Sequence, residues 1–353
     1  MGLWRRIWPR SGRDIAIDLG TANTLAHVRS KGLVLREPSV VAMDRSRGAV
    51  LAVGGEAKRM LGRTPPSIVA VRPLKDGVIA DFDVAEAMLR HFVQRALRRG
   101  GMSKPTVVVG VPSGVTEVER EAVRNATLRA GARRVLLIDE PMAAAIGAGL
   151  PVSEARGSMV VDIGGGTTEV AVIALNGVVT GRSSRIAGDE MDEAIAAYLH
   201  RQCSLAIGPA TAEMVKIEVG SALAGQGEER TTLVRGRDLL SGLPRAVEVS
   251  AAQVREAIAE PLRGLVELLK VALEDTPPEL SGDIMDQGIV LTGGGALLPG
   301  IDRLIARDTE MPVRVAEDPL TCVVMGAGRA LEEAERFAGV FFRPNGHLRL
   351  RGA

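Results

Sequence analysis

Apolar and polar positions divide the chain into short alternating elements. Asp14–Leu19 alternates like a half-buried strand, Gly20-Thr21-Ala22-Asn23 is a turn, and Thr24–Val28 reads as a second strand. Ser39–Met43 and Val50–Val53 are further β-rich runs. Over Asp83–Arg98 the period becomes helical, with Val84, Ala87, Met88, His91, Phe92 and Leu97 on one broad face. Thr106–Val111 is apolar throughout, as a strand covered on both faces is. Ser113–Gly131 carries helix punctuation: Thr116 as N-cap, Glu119 at the reciprocal position and Gly131 as the stop. A strand at Val135–Ile138 then leads into the Ala-rich helix Met142–Gly149.

The second half begins in the same style. Met159–Ile163 and Thr168–Ala174 read as strands around the turn Gly164-Gly165-Gly166-Thr167. Helices are predicted near Glu190–Gln202 and Ala210–Ala224, followed by a β-rich insert around Thr231–Val249. Ala251–Leu273 reads as a long helix bent by Pro261. Gly288–Leu291 is a buried strand, Thr292-Gly293-Gly294-Gly295 a turn, and Ile301–Arg307 and Cys322–Phe337 are helices. No linker or low-complexity tract separates the halves, so the alternation predicts α/β layers.

Composition narrows the function classes. With 44 Lys and Arg against 43 Asp and Glu, the chain is not a general polyanion binder, and no nucleic-acid partner is expected. No apolar run reaches the ~18 residues of a spanning helix. Cys203 and Cys322 form no CxxC pair, which suits a reducing cytosol. The balance is uneven, however. Arg5, Arg6, Arg10 and Arg13 meet no acid within residues 1–13, and both tryptophans, Trp4 and Trp8, lie there too.

An internal repeat carries the candidate chemistry. Ile15-Ala-Ile-Asp18-Leu-Gly20-Thr21-Ala-Asn23 and Val160-Val-Asp162-Ile-Gly164-Gly-Gly166-Thr167 each end a strand in Asp-apolar-Gly and turn through small or hydroxylic residues. One copy alone reads as an ordinary hairpin turn. Two copies, with a third glycine turn at 293–295, read as a nucleotide clamp. Glycines let backbone N–H groups approach phosphate oxygens, and a strand-end Asp can hold the hydrated Mg²⁺ that accompanies a triphosphate. GxxxxGK[ST], HExxH and GxSxG are all absent, so a P-loop enzyme, a zinc peptidase and a serine hydrolase are not supported. The four histidines are scattered and read as core or surface residues.

These turns resemble those of the actin/heat-shock-chaperone/hexokinase ATPase superfamily. So do Ile138-Asp139-Glu140-Pro141-Met142-Ala-Ala-Ala-Ile-Gly147 and Leu291-Thr-Gly-Gly-Gly-Ala-Leu-Leu298. Within it the chain resembles the MreB family of bacterial actin-like cell-shape proteins. The closer likeness is carried by Val111–Arg120, Lys216–Ala222, Gly236–Pro244 and Ala316–Cys322, and the resemblance spans about residues 14–338. It implies an α/β, actin-like, two-lobed ATPase fold, each lobe a larger α/β core with a smaller inserted subdomain. The implied boundaries are 14–34, 74–147 and 318–340 for the lobe I core, with 35–73 its insert. Residues 148–182 and 250–317 would form the lobe II core, with 183–249 its insert, and 341–353 a flexible basic tail.

The resemblance also implies roles. Thr21, Ala22 and Asn23 would contact ATP phosphates from one lobe and Gly164, Gly165 and Gly166 from the other, with Asp18 and Asp162 holding Mg²⁺ through water. Glu140 would orient the attacking water, assisted by Thr167; outside the family context it reads as a helix N-terminal charge beside Pro141. Glu213 and Lys216, three apart on one helix face, would meet ribose and adenine, or else form a solvated ion pair. Gly294, Gly295, Ala296 and Leu297 would pass behind the base. The implied function is ATP-dependent self-assembly into filaments, with a slow ATPase, in partnership with membrane proteins of cell-wall elongation. A small-molecule kinase of the same fold is the enzyme alternative, and an ATP-binding scaffold with little hydrolysis the other.

Residues 1–13 read as a membrane-binding segment. Trp4, Ile7 and Trp8 share one helical face with Leu3 adjoining, while Arg5 and Arg6 lie toward the other side. Such a helix lies at an interface, tryptophan at headgroup level and arginine on anionic lipid. The expected location is therefore cytoplasmic, peripheral at the inner face of the cell membrane. In the family an apolar loop also meets the membrane, but here Arg99–Lys104 offers only Met102.

Overall fold

The β-branched run Thr106–Val111, buried along its whole length, forms the centre of a six-stranded sheet in this computed structural model. The structure describes residues 13–29, 31–97, 104–225, 230–337 and 339–342. The sheet order is Phe341–Phe342, Arg134–Asp139, Thr106–Val111, Ile15–Leu19, Asn23–Val28, Gly32–Pro38. A second sheet, of five strands, runs Gly177–Ser184, Thr168–Ala174, Ser158–Ile163, Ile289–Thr292, Val313–Val315. The repeat is thus three-dimensional. Ile15–Leu19 pairs antiparallel with Asn23–Val28 and parallel with Thr106–Val111; Ser158–Ile163 does the same with Thr168–Ala174 and Ile289–Thr292.

Each large sheet carries a smaller one. Val41–Asp44 pairs with Val50–Val53 and Ile68–Val71, covered by helix Gly55–Met60 through Val40, Ala42 and Ala57. In the other lobe Leu205–Ala206, Thr231–Asp238 and Pro244–Ser250 form the small sheet. These are the two lobes and two inserts of an actin-like fold.

Two helices join the lobes at the base of the cleft. Glu140–Gly147 and Cys322–Glu332 touch through glycines: a Cβ on Gly147 would lie 1.9 Å from the Cys322 carbonyl oxygen, and one on Gly326 1.8 Å from that of Ala143. Around this crossing Ala16, Val108 and Ile138 of the first sheet share a core with Val160, Ala171 and Val290 of the second.

The local signals locate most elements, with four corrections. The buried stripe of Phe82–Leu97 is Val84, Ala85, Met88, Leu89, Phe92, Val93 and Ala96; His91 is exposed. The long helix breaks at Ile258 into Ala251–Ala257 and Ala259–Glu274, because Pro261 has no N–H for the Ala257 carbonyl. The last helix ends at Glu332, ahead of the expected Phe337. Phe341 and Phe342, expected within a flexible tail, form a strand paired with Ile138 and Leu137. The capping box at Thr116 and Glu119 is as expected.

Candidate functional site

The two repeated turns press against each other across the cleft. A Cβ on Gly165 would lie 2.7 Å from that of Ala22, and one on Gly166 would lie 2.8 Å from the Thr21 hydroxyl. Only glycine permits this approach, so the glycines of the second turn are explained by the side chains of the first. The Gly164 N–H donates to the Thr167 carbonyl at 2.8 Å, and the Ser39 hydroxyl to the Gly20 carbonyl at 2.6 Å, fixing each turn. The third turn closes the floor: Gly293, at φ +80°, would place a Cβ 2.3 Å from the Ile163 carbonyl oxygen.

Between the turns lies a cavity of about 390 Å³. Asp18, Thr21, Ala22, Asn23, Glu140, Asp162, Gly164, Gly165, Gly166, Thr167, Glu213, Lys216, Gly294, Gly295 and Leu297 all line it. Ala296 does not; it is buried in the lobe II core, because the short 3-10 turn Gly294–Leu297 points it inward.

Three carboxylates line the floor, Asp18, Asp162 and Glu140, and Glu169 lies near enough to act on Glu140. Burial, and then the nearby Asp162, push Asp18 up to about 8. Burial raises Asp162 to about 6, against the Thr292 hydroxyl that donates to it at 2.7 Å. Glu140 is held well above the usual carboxylate range, first by burial and then by Asp18, Glu169, Asp162 and Asp139. Gly110 makes room for it, since a Cβ there would sit 3.2 Å from Glu140 Cγ. Glu169, raised by burial to about 7, accepts from Ser183 Oγ at 2.5 Å and from the Ser113 N–H at 3.2 Å. Two buried carboxylates that penalise each other's ionisation fit a cation between them. Among the described residues no group of three His, Cys, Asp or Glu gathers as a metal site. A pair suits Mg²⁺, which keeps its waters and binds one or two carboxylates plus phosphate.

A hairpin outside the repeated turns also reaches into this site. Leu74–Lys75 and Val78–Ile79 are joined by Asp76-Gly77, both at positive φ, and the Gly77 N–H donates to the Thr21 hydroxyl at 3.0 Å. A Cβ on Gly77 would lie 3.1 Å from the Thr167 methyl. The Asp-Gly pair was the available signal.

At the mouth, Glu213 and Lys216 do not pair with each other. Lys216 binds Asp192 at 2.8 Å and the Gly188 carbonyl at 2.6 Å within lobe II. Glu213 instead reaches Lys58 of the lobe I insert at 2.8 Å. In a second cross-lobe pair Arg72 Nη1 donates to both oxygens of Asp189, at 2.9 and 3.0 Å. No sequence signal marks Lys58 or Arg72, because their partners lie 155 and 117 residues away.

Leu3, Trp4, Ile7 and Trp8 lie outside the described residues, as do the loop 98–103 and residues 343–353. Among the described residues no helix is long and apolar enough to cross a membrane.

The MreB/Mbl protein family matches residues 12–339. The cell shape-determining protein MreB of Escherichia coli (strain K12) is 57% identical over 334 residues, covering 93% of this chain and 96% of that protein. MreB5 of Spiroplasma citri has been solved bound to AMPPNP; it superposes with a TM-score of 0.88 at 38% identity, over 93% of this chain and 98% of that one. The same protein bound to ADP also gives 0.88. A MamK double helical filament shares the fold, with a TM-score of 0.77 at 24% identity over 91% of this chain and 99% of the other.

Proposed function

The chain belongs to the MreB/Mbl family, and from that premise we propose that it is a cell shape-determining, ATP-dependent filament protein working at the inner face of the membrane. The observation that carries the reading is the pair of facing glycine turns over a carboxylate floor, a shape that fits a nucleoside triphosphate. Thr21, Ala22 and Asn23 grip the phosphates from one lobe and Gly164, Gly165 and Gly166 from the other. Asp18 and Asp162 hold Mg²⁺ through water; the ion, when bound, neutralises charge on the phosphates. Glu140 orients the water and accepts its proton, a task suited to a carboxyl titrating above its ordinary range. Thr167 assists. Glu213 and Lys216 meet the ribose and adenine, and Gly294, Gly295 and Leu297 back the base.

Nucleotide held by both lobes closes the cleft, and closure favours head-to-tail assembly, which yields an open filament when the operation does not return on itself. Leu3, Trp4, Ile7 and Trp8 attach that filament to anionic lipid, and membrane proteins of cell-wall elongation are its partners. Many weak anchors in one polymer add up to firm binding. Light scattering at rising protein concentration tests the assembly step. Scattering is expected to rise with Mg²⁺ and ATP and to stay low without nucleotide; a chain monomeric under every condition defeats the proposal.

A further inference from the structure

The end of the six-stranded sheet away from the nucleotide carries a row of cations that the ATP site does not use. Five neighbouring strands begin or finish there, in the order Arg134–Asp139, Thr106–Val111, Ile15–Leu19, Asn23–Val28, Gly32–Pro38. At those ends stand Arg133 and Arg134, Lys104, Arg13, Arg29 and Lys31, one after another across the sheet. Backbone bonds tie the row together. The Arg133 N–H donates to the Pro105 carbonyl at 2.8 Å, the Arg29 N–H to the Asp14 carbonyl at 2.9 Å, and the Lys31 N–H to the Val28 carbonyl at 2.9 Å. With strands about 4.8 Å apart, the row spans roughly 20 Å.

Lys31, Lys104 and Arg133 are exposed and make no ion pair among the described residues. The acid within the row, Asp14, is buried and committed to the Thr106 N–H at 3.0 Å, with Arg29 at 3.8 Å. Glu332 borders the row through its carbonyl, which accepts from Arg29. Two described residues next to the chain termini border the row. Arg13 follows the tryptophan-bearing segment in sequence and precedes the strand Ile15–Leu19, and Phe342 pairs with Leu137, nearer Arg134 than the Phe341–Ile138 pair.

We infer that this row, centred on Lys31, Lys104 and Arg133, is a second membrane contact, a docking surface for anionic lipid headgroups. The inference rests on the reading of residues 1–13 as a membrane segment and adds what that reading lacks. A single short interfacial helix binds marginally, and stable attachment takes a second signal such as a basic patch. Lysine and arginine near an anionic surface attract it within a Debye length. A membrane fits better than nucleic acid because Arg13, within the row, directly follows in sequence the segment that carries both tryptophans, and tryptophan belongs at headgroup level.

The test is co-sedimentation of the full chain with vesicles of phosphatidylglycerol and phosphatidylcholine, against pure phosphatidylcholine. One variant carries Lys31→Gln, Lys104→Gln and Arg133→Gln. A control removes the same charge from lobe II through Arg201→Gln, Arg263→Gln and Lys270→Gln. At about fivefold per charge, the first variant is expected to lose about 100-fold in affinity for the anionic vesicles while the control keeps it. Equal losses in both variants, or none in the first, overturn the inference. So does a first variant that keeps vesicle binding but loses affinity for a short DNA duplex. A wild-type chain that ignores anionic vesicles sinks the membrane reading itself, a different result from wild-type pelleting that the first variant preserves.

Discussion

The cleft is built differently at its base and at its mouth. At the base, Gly147 and Gly326 let two helices touch backbone to backbone inside an apolar core drawn from both sheets. At the mouth the lobes meet through Lys58–Glu213 and Arg72–Asp189, with all four side chains between 22% and 34% exposed. Apolar packing at interior density resists rearrangement, whereas part-exposed ion pairs contribute only about 0.2–1 kcal/mol each and part easily. The base thus has the packing expected of a hinge and the mouth the contacts expected of a latch. Between them lies the carboxylate floor.

Substitutions can break each part separately. The largest effect is expected on the floor. Glu140→Ala should lower ATP turnover by about 10²–10⁴-fold, the usual range for a lost general base. Turnover unchanged in a phosphate-release assay would show that Glu140 is not catalytic. At the base, Gly326→Val drives a side chain into the Ala143 carbonyl and should cost about 3 kcal/mol or more in a chemical-denaturation curve, the upper range for overpacking. A normal midpoint would show that the helices do not pack this closely.

The floor also predicts a pH dependence. Asp18, Asp162 and Glu169 have folded pKa values raised to about 8, 6 and 7, so their contribution is complete below about pH 4 and is lost as pH rises through 6 to 8, and Glu140 is shifted in the same direction. Without divalent cation, Tm should fall between pH 6 and pH 8, and added Mg²⁺ should reduce the fall. A flat Tm over that window would mean the carboxylates are not buried together. The smallest effect is expected at the mouth. Lys58→Glu should speed release of a fluorescent nucleotide about 5-fold, while Lys58→Arg should leave release near the wild-type rate. Equal rates for all three would show that the latch does not hold the nucleotide.

The same division explains what could be read from the sequence. Features fixed by neighbours in the chain were legible: the capping box at Thr116, the strand ends at Asp18 and Asp162, and the glycine turns. Fifteen of the sixteen implied cleft residues meet there because the fold repeats itself; Ala296 shows the limit, since a short 3-10 turn decides its direction. The stripe of Phe82–Leu97 was misplaced because Ala85 and Ala87 look alike to a periodicity count, and packing chose the former. Gly32–Pro38 was missed because it is an edge strand, with Leu33, Val34 and Arg36 exposed, and so lacks a clean alternation. Lys58, Arg72 and Asp189 were invisible for a simpler reason: an ion pair between distant segments leaves no local trace.

The central claim is that the facing turns form a nucleotide clamp whose closure drives assembly. Sedimentation of the wild-type chain and of Gly166→Val, with and without Mg²⁺ and ATP, tests it directly, circular dichroism verifying that the variant is folded. The valine would occupy the space of the Thr21 side chain and hold the turns apart. The wild type is expected to pellet with ATP and stay soluble without it, while the variant stays soluble in both. A variant that pellets with ATP like the wild type would contradict the account.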